Sequence, residues 1–285
     1  MRTLRPVRPP IAVEREYHKR IKALFQKMNR SLFWWLRAEY RKVDTPQVNV
    51  QDGSMTDVQK KLKQLHKYWS KAFEKEADVL GEWFGNAVQK YTTTNLKNQM
   101  KKSKLETLGF DLKFSYHSRK ERDVLKAIIM ENVRYITNIG EDQMGRAEGV
   151  ILRGIENGYD LSTMSENLEE TFGVSERKAS MIARDQTRKA TNSLSRQRLL
   201  DYGVTKGKWM HTSAGKTYRD SHVAMDGTIY DIEQGCFDDD YGEYIQPAEL
   251  PNCHCVCIPV LDFSKEDEFW SEYEGTETGW KGDGK

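Results

Sequence analysis

The stretch WMHTSAGKTYRDSHVAMDGTIYDIEQGCFDDDYGEYIQPAELPNCHCVCIPV, residues Trp209–Val260, decides how this chain is read. Three short runs in or at the edge of it have strand character: Lys208–His211, Thr228–Ile232 and Cys255–Val260. Each is rich in β-branched, aromatic or sulfur side chains and is bounded by Gly, Pro, Asn or Asp, which is how half-buried strands are punctuated. Asp226-Gly227 marks a sharp turn just before the second run. Strands this short, with no room between them for crossover helices, point to a small antiparallel sheet. All four cysteines of the chain, Cys236, Cys253, Cys255 and Cys257, fall inside the same stretch.

Upstream the period changes from two to that of a helix. Ser175 reads as the N-cap of a helix carried to Tyr202, with Gly203 as the residue that ends it. Before it, Ser162 opens a short helix ending near Phe172-Gly173, and two further helices span Arg119–Ile139 and Glu141–Asn157. Phe110, Leu112 and Phe114 alternate with polar residues and predict a short strand. Further back, Thr94–Thr107 is helical. Thr56–Lys90 carries the stripe Val58, Leu62, Leu65, Trp69, Phe73, Leu80, Trp83, Phe84 and Ala87. Glu14–Lys42 carries Ile21, Leu24, Phe25, Met28, Leu32, Leu36 and Tyr40. A loop at 43–54 separates these two. Pro6, Pro9 and Pro10 oppose a helix in the first thirteen residues, which are expected to be extended and mobile.

The resulting expectation is a predominantly helical α+β fold: an extended basic N-terminus (1–13), a helical arm (14–104), a domain of helices and a small antiparallel sheet (105–262), and an acidic tail (263–285). The 285 residues suffice for one large domain or two ordinary ones. A net charge of +2 gives no global argument for nucleic acid or membrane. The charge is uneven, however. Arg and Lys crowd the region Arg2–Lys42, and acids crowd the end. No run of about 18 apolar residues is present to span a membrane, and the basic N-terminus lacks the apolar core of a signal peptide. The chain is therefore expected to be made, or assembled, in a cytoplasm. Cysteines clustered in a reducing compartment favour a metal site or simple burial over a disulfide framework.

Several features match one family in order and spacing. Gly158-Tyr159-Asp160-Leu161 leads into the helix that ends at Phe172-Gly173. Ala183-Arg184-Asp185-Gln186-Thr187 follows inside a long helix. Then come Gly203, Trp209, Arg219, Ser221-His222, Asp226-Gly227 and Pro251-Asn252-Cys253-His254-Cys255. Over roughly a hundred residues the chain resembles the Mu F-like family of phage head-morphogenesis proteins. The resemblance implies a minor capsid protein of a tailed phage. Such a protein joins the prohead at the portal vertex, sits inside the virion head, and assists head assembly, DNA packaging or delivery. Its partners would be the portal protein and other head proteins. An alternative is a nucleic-acid-binding virion protein whose basic arm, Arg2–Lys42, touches packaged double-stranded DNA. No enzyme is expected: Gly-x-Gly-x-x-Gly, a phosphate loop and His-Glu-x-x-His are all missing, and nothing fixes a base next to a nucleophile.

The family pattern also bears on metal. Members carry Cys-x-x-Cys before the Asp-Gly turn and His-x-x-Cys-x-Cys near the end. Here those positions hold Arg219 and His222, then Leu250, Cys253 and Cys255. Three ligand-capable residues survive (His222, Cys253, Cys255), and Cys257 or Cys236 would have to supply a fourth for tetrahedral zinc. In a fully extended segment, same-face neighbours two apart sit about 7 Å apart, too far to share one ion. Cys253 must then lie in the turn made by Pro251-Asn252. The other reading needs no cofactor. The cysteines are small buried hydrophobes, and His222 hydrogen-bonds a carbonyl to hold the Asp226-Gly227 turn. Either way Arg184, Asp185, Trp209, Arg219, Asp226, Gly227, Pro251 and Asn252 form a folding clasp, with Arg184 reaching back to the sheet as a lock and Asp185 pairing with Lys189. The Asp238-Asp239-Asp240 run reads as a solvated loop. Partner binding is expected on the helical arm, at Trp34, Trp35, Trp83 and Phe84. Adjacent helical positions diverge by about 100°, so Trp34 and Trp35 cannot both enter one stripe.

Overall fold

The computed structural model describes residues 2–43, 53–102, 117–157, 161–213 and 218–261. The strand expected at 110–114 and the acidic tail at 263–285 lie outside the described residues. Four long helices make up most of the chain: α1 (Ile11–Val43), α2 (Gly53–Lys102), α3 (Arg119–Glu156) and α4 (Leu161–Asp201). With the small antiparallel sheet that follows them, they make the predominantly helical α+β fold expected from the sequence.

The helices run through three places where a break was expected. Thr92-Thr93-Thr94 does not interrupt α2. The hydroxyl of Thr92 donates to the Gln89 carbonyl at 3.0 Å and that of Thr94 to the Lys90 carbonyl at 2.8 Å, which lets β-branched residues stay helical. Gly140 does not interrupt α3. A Cβ built there would stand 2.5 Å from the Phe73 ring, so the glycine admits an aromatic from α2. Gly173 and Ser175 do not interrupt α4. Ser175 is buried in mid-helix and donates to the Gln143 side chain instead of capping. The end of α4 follows expectation. Gly203 has φ +78; its N–H reaches Leu200 O and the N–H of Val204 reaches Leu199 O, both at 2.9 Å. That is the paired 5→2 and 6→1 closure of a Schellman motif.

Two compact units result. One is helical and takes residues 8–94 and 117–194. Its core joins Tyr17, Ile21, Met28 and Leu32 of α1, Phe73, Phe84 and Val88 of α2, Ile136 and Ala147 of α3, and Ala183 and Leu194 of α4. A polar thread crosses it: Tyr17 Oη donates to Asn132 Oδ1 at 2.9 Å, and Asn132 Nδ2 to Gln186 Oε1 at 3.2 Å. Burying these amides is tolerable because each finds a partner. The units do not follow the expected division near residue 104. The helices assigned to the C-terminal domain complete the core of the arm, whose apolar stripes need a larger partner surface than one helical pair offers.

The other unit takes the residues up to Val7, the last turns of α2 and the chain from Ser195. It holds a four-stranded antiparallel sheet in the order β1-β6-β2-β3, from β1 (Arg2–Thr3), β2 (Lys206–Met210), β3 (Ile229–Asp231) and β6 (Val256–Leu261). A separate ribbon pairs β4 (Cys236–Asp238) with β5 (Glu243–Ile245), and a five-residue helix, α5 (Asp220–Ala224), lies between β2 and β3 in sequence. The expected mobile N-terminus is corrected here. Arg2 pairs with Leu261 and Thr3 with Val260, Leu4 N–H donates to Pro259 O at 3.0 Å, and Leu4 and Val7 are buried. The prolines do not keep this segment loose. Pro10 stands just before α1 and its carbonyl accepts from Val13 and Glu14, so it sets the start of the helix.

Candidate functional site

β2 organises the sheet side of the site. Alternation along the strand buries Gly207 and Trp209 on one face. Trp209 is fully buried, edge-on to His222 (centroids 5.5 Å) and to Tyr230 (6.1 Å). The turn between α5 and β3 is pinned to the same strand. Gly227, at φ +84, donates to Trp209 O at 2.9 Å, Trp209 N–H donates to Thr228 O at 2.8 Å, and Asp226 Oδ1 accepts from His211 N–H at 2.8 Å. Asp226, not His222, therefore holds this turn.

His222 projects from α5 into a buried group of sulfurs. Its Nδ1 lies 3.4 Å from Cys253 Sγ and 3.7 Å from Cys255 Sγ, and one ligand atom from each of the three falls within 4.8 Å of the others. Cys253 sits where the spacing argument put it, in a turn outside the strand. Its N–H donates to Leu250 O at 3.0 Å, and Asn252 before it adopts φ +59. A cavity of about 20 Å³ opens among these side chains. That is room for about one water-sized particle. The two thiols hold one proton between them. A hydrogen bond from Cys255, reinforced by backbone N–H groups and the nearby His222, overcomes burial and pushes Cys253 down to about 6. Cys255 is pushed up by the same partnership and by burial.

Two participants escaped the sequence reading. His211 Nδ1 lies 3.6 Å from Cys255 Sγ. Its position two residues after Trp209, on the same face of an extended strand, is a signal that alternation carried. The sequence predicts a solvated loop at Asp238. It is fully buried, and its Oδ2 stands 3.3 Å from His222 Nε2. The pair is close but off the hydrogen-bond line, and both atoms lack a hydrogen-bond partner. Nothing local in Asp-Asp-Asp distinguishes its first member.

The remaining expected residues divide. Arg219 donates to Pro251 O at 3.3 Å and to Tyr241 Oη at 3.4 Å, tying α5 to the cysteine turn. Arg184 is exposed on α4 in the helical unit. Asp185 lies near Lys189, whose ammonium bridges to Glu131 at 2.9 Å. Cys257 is not in the sulfur–imidazole group: it lies beside Tyr230 and packs where a Gly207 Cβ would be. Cys236 is buried on β4, also outside that group. On the helical unit Trp34 is 73% exposed, whereas Trp35 and Phe84 are core residues at 3% and 0%. The two buried aromatics are corrected from the partner surface to the core, because each faces the apolar stripe of its own helix. Trp83 is half-buried beneath the Arg20 guanidinium, 4.2 Å from its ring centroid.

The fold and site together define a protein of one helical unit and one small-sheet unit, the latter bringing a cysteine turn and His222 together beside a buried carboxylate. Residues 147–258 match the family model described as phage Mu protein F like protein. The matched stretch takes in less than half of this chain. It is also similar to an uncharacterized protein of Haemophilus influenzae, 27% identical over 175 residues. That alignment takes in 61% of this chain and 36% of the relative, so the chain spans about a third of that relative's length. No solved structure matches. Among the described residues, no helix is long and apolar enough to cross a membrane.

Proposed function

We propose that the chain is a minor head protein that binds the portal from inside the phage head, through the surface around Trp34, and assists assembly, packaging or delivery of DNA. The observation that carries the reading is the placement of Trp34. The indole stands exposed at an open groove of about 570 Å³, lined also by Phe33, Arg30, Arg37 and Glu169. A large exposed aromatic flanked by arginines has the composition of an interaction anchor. Its neighbour Trp35 already supplies the core, so folding does not require the second indole.

The test is binding of the purified chain to the portal protein of the same phage. Trp34→Ala is expected to weaken binding by about 30-fold, the size of a hot-spot truncation, with the melting temperature unchanged. Binding is expected to persist at high salt. A steep fall in binding with salt, together with retention of double-stranded DNA, would instead favour contact through the basic segment Arg2–Lys42. A chain placed on the outer capsid surface in a prohead map would overturn the proposal.

A further inference from the structure

We propose that Cys253, Cys255, His222 and His211 form a four-coordinate zinc site, with Asp238 orienting His222. The distances carry the argument. Bonds of about 2.3 Å to sulfur and about 2.0–2.1 Å to nitrogen, at tetrahedral angles, place S and N ligand atoms about 3.6 Å apart. The three sulfur–nitrogen separations are 3.4, 3.7 and 3.6 Å. These three separations match edges of a metal tetrahedron, and the small cavity that opens among the side chains has room for about one small particle.

The surroundings suit a cation. Two neighbouring buried thiols give up both protons readily only to a compensating positive charge, and a zinc ion supplies it. With His222 Nδ1 bound to the ion, Nε2 must carry the hydrogen, and it faces the buried Oδ2 of Asp238 at 3.3 Å. A small ring rotation closes that bond and satisfies two orphaned atoms at once. This is the carboxylate–histidine–metal arrangement that fixes a ligand's tautomer. His211 completes the set. Its nitrogen already lies beside Cys255, though outside the 4.8 Å group formed by the other three, so a side-chain rotation brings it in. Its backbone is held by Asp226.

A nucleophilic Cys253–His222–Asp238 triad uses the same residues. It fares worse, because Cys253 is buried, a second thiol competes for His222, and the cavity beside them is small. The site is structural in kind: all four positions are filled by protein.

The experiment is elemental analysis of the full chain, purified without a histidine tag from zinc-supplemented medium, with cobalt substitution as a second readout. The expected result is one zinc per chain and a tetrahedral cobalt spectrum with sulfur charge-transfer bands. His211→Ala and Asp238→Asn are expected to lower zinc affinity by about 10- to 100-fold in chelator competition. Cys257→Ser and His254→Ala should keep it. Zinc well below one per chain in the folded wild type, with Cys253 open to alkylation, overturns the proposal. Unchanged affinity in His211→Ala, or loss in His254→Ala, overturns the assignment of the fourth ligand. Failure of portal binding bears on neither readout, so the two proposals fall separately.

Discussion

Gly207 shows how little slack the sheet core has. A Cβ there would stand 2.7 Å from Cys257 Sγ and 3.1 Å from both Ile232 Cγ1 and Tyr230 Cζ. Gly207→Ala is therefore expected to cost about 1–3 kcal/mol through overpacking, measurable as a lower denaturation midpoint with unchanged m-value. Asp226 is different in kind. Its carboxylate takes the His211 N–H, so Asp226→Ala should cost about 1 kcal/mol, the worth of one hydrogen bond to a charged acceptor or slightly less. Asp226→Asn should recover most of that loss in thermal unfolding. At this scale the sequence was legible where a residue type has one main use. The Gly227 turn, the Gly203 helix stop and the Cys253 turn all follow from backbone demands that few residues meet. It was opaque where the same type has two uses. Trp34 and Trp35 are told apart only by which side of α1 faces α2 and α3. Asp238 looks like its neighbours until β4 and β5 fold it inward beside His222.

The helices illustrate how packing overrides local punctuation. Gly81 and Gly85 on α2 meet α3 at close range: Cβ atoms there would lie 2.8 Å from Val133 Cγ2 and 2.7 Å from Ile129 Cγ1. Single-residue propensity marks glycine as a weak point in a helix, yet these positions, with Gly140, are what let the helices approach. Local punctuation alone therefore predicts four short helices where α3 and α4 are two long ones, and a shorter α2. Gly85→Leu is expected to destabilise the helical unit by several-fold more than Gly145→Leu, since a Cβ at Gly145 meets nothing within 4 Å. Paired thermal melts of the two variants check this.

A second feature at the scale of elements is the clamp of α2 on α3 through His66. Its Nε2 lies 2.7 Å from Glu141 and its Nδ1 2.8 Å from Glu148. The hydrogen bond to Glu141, opposed by burial and aided by Glu148, raises the His66 pKa. Glu141 is lowered, chiefly by the Ser70 side chain and also by His66. A raised histidine contributes stability that is complete below its unfolded value near 6.5 and is lost as pH rises through its folded value. The lowered carboxylate contributes above its unfolded value near 4.5 and loses this as pH falls through its folded one. The clamp is thus strongest between about pH 4.5 and 6.5. His66→Gln should flatten the fall in melting temperature between pH 6 and 8. An equal fall in wild type and variant would show that His66 carries none of it. The side chains stay partly in water, so the effect is modest.

Across the molecule, the fold class was readable because 3.6-residue stripes dominate the first two thirds and short bounded runs dominate the last third. Which helices share a core was not readable, because periodicity shows that a face is apolar but not what covers it. The N-terminal strand was hidden for a related reason. Two residues carry no period, and their pairing is set by β6, far away in sequence. Deleting Arg2–Val7 is expected to unpair one edge of β6, expose the sites of Leu4 and Val7, and lower the midpoint of the transition followed by Trp209 fluorescence. An unchanged midpoint would mean that the edge strand adds nothing to the sheet.

The pairing of Arg2 with Leu261 also sets a timetable for birth on the ribosome. At about 5–20 residues per second, the strand that Arg2 needs is delivered on the order of 13–50 s after Arg2 itself. The helical unit ends at Leu194, so every segment it needs is made while the first strand still waits. A nascent chain stalled before Val256 would therefore carry every segment of the helical unit and a sheet that still lacks the partner strand of Arg2 and Thr3.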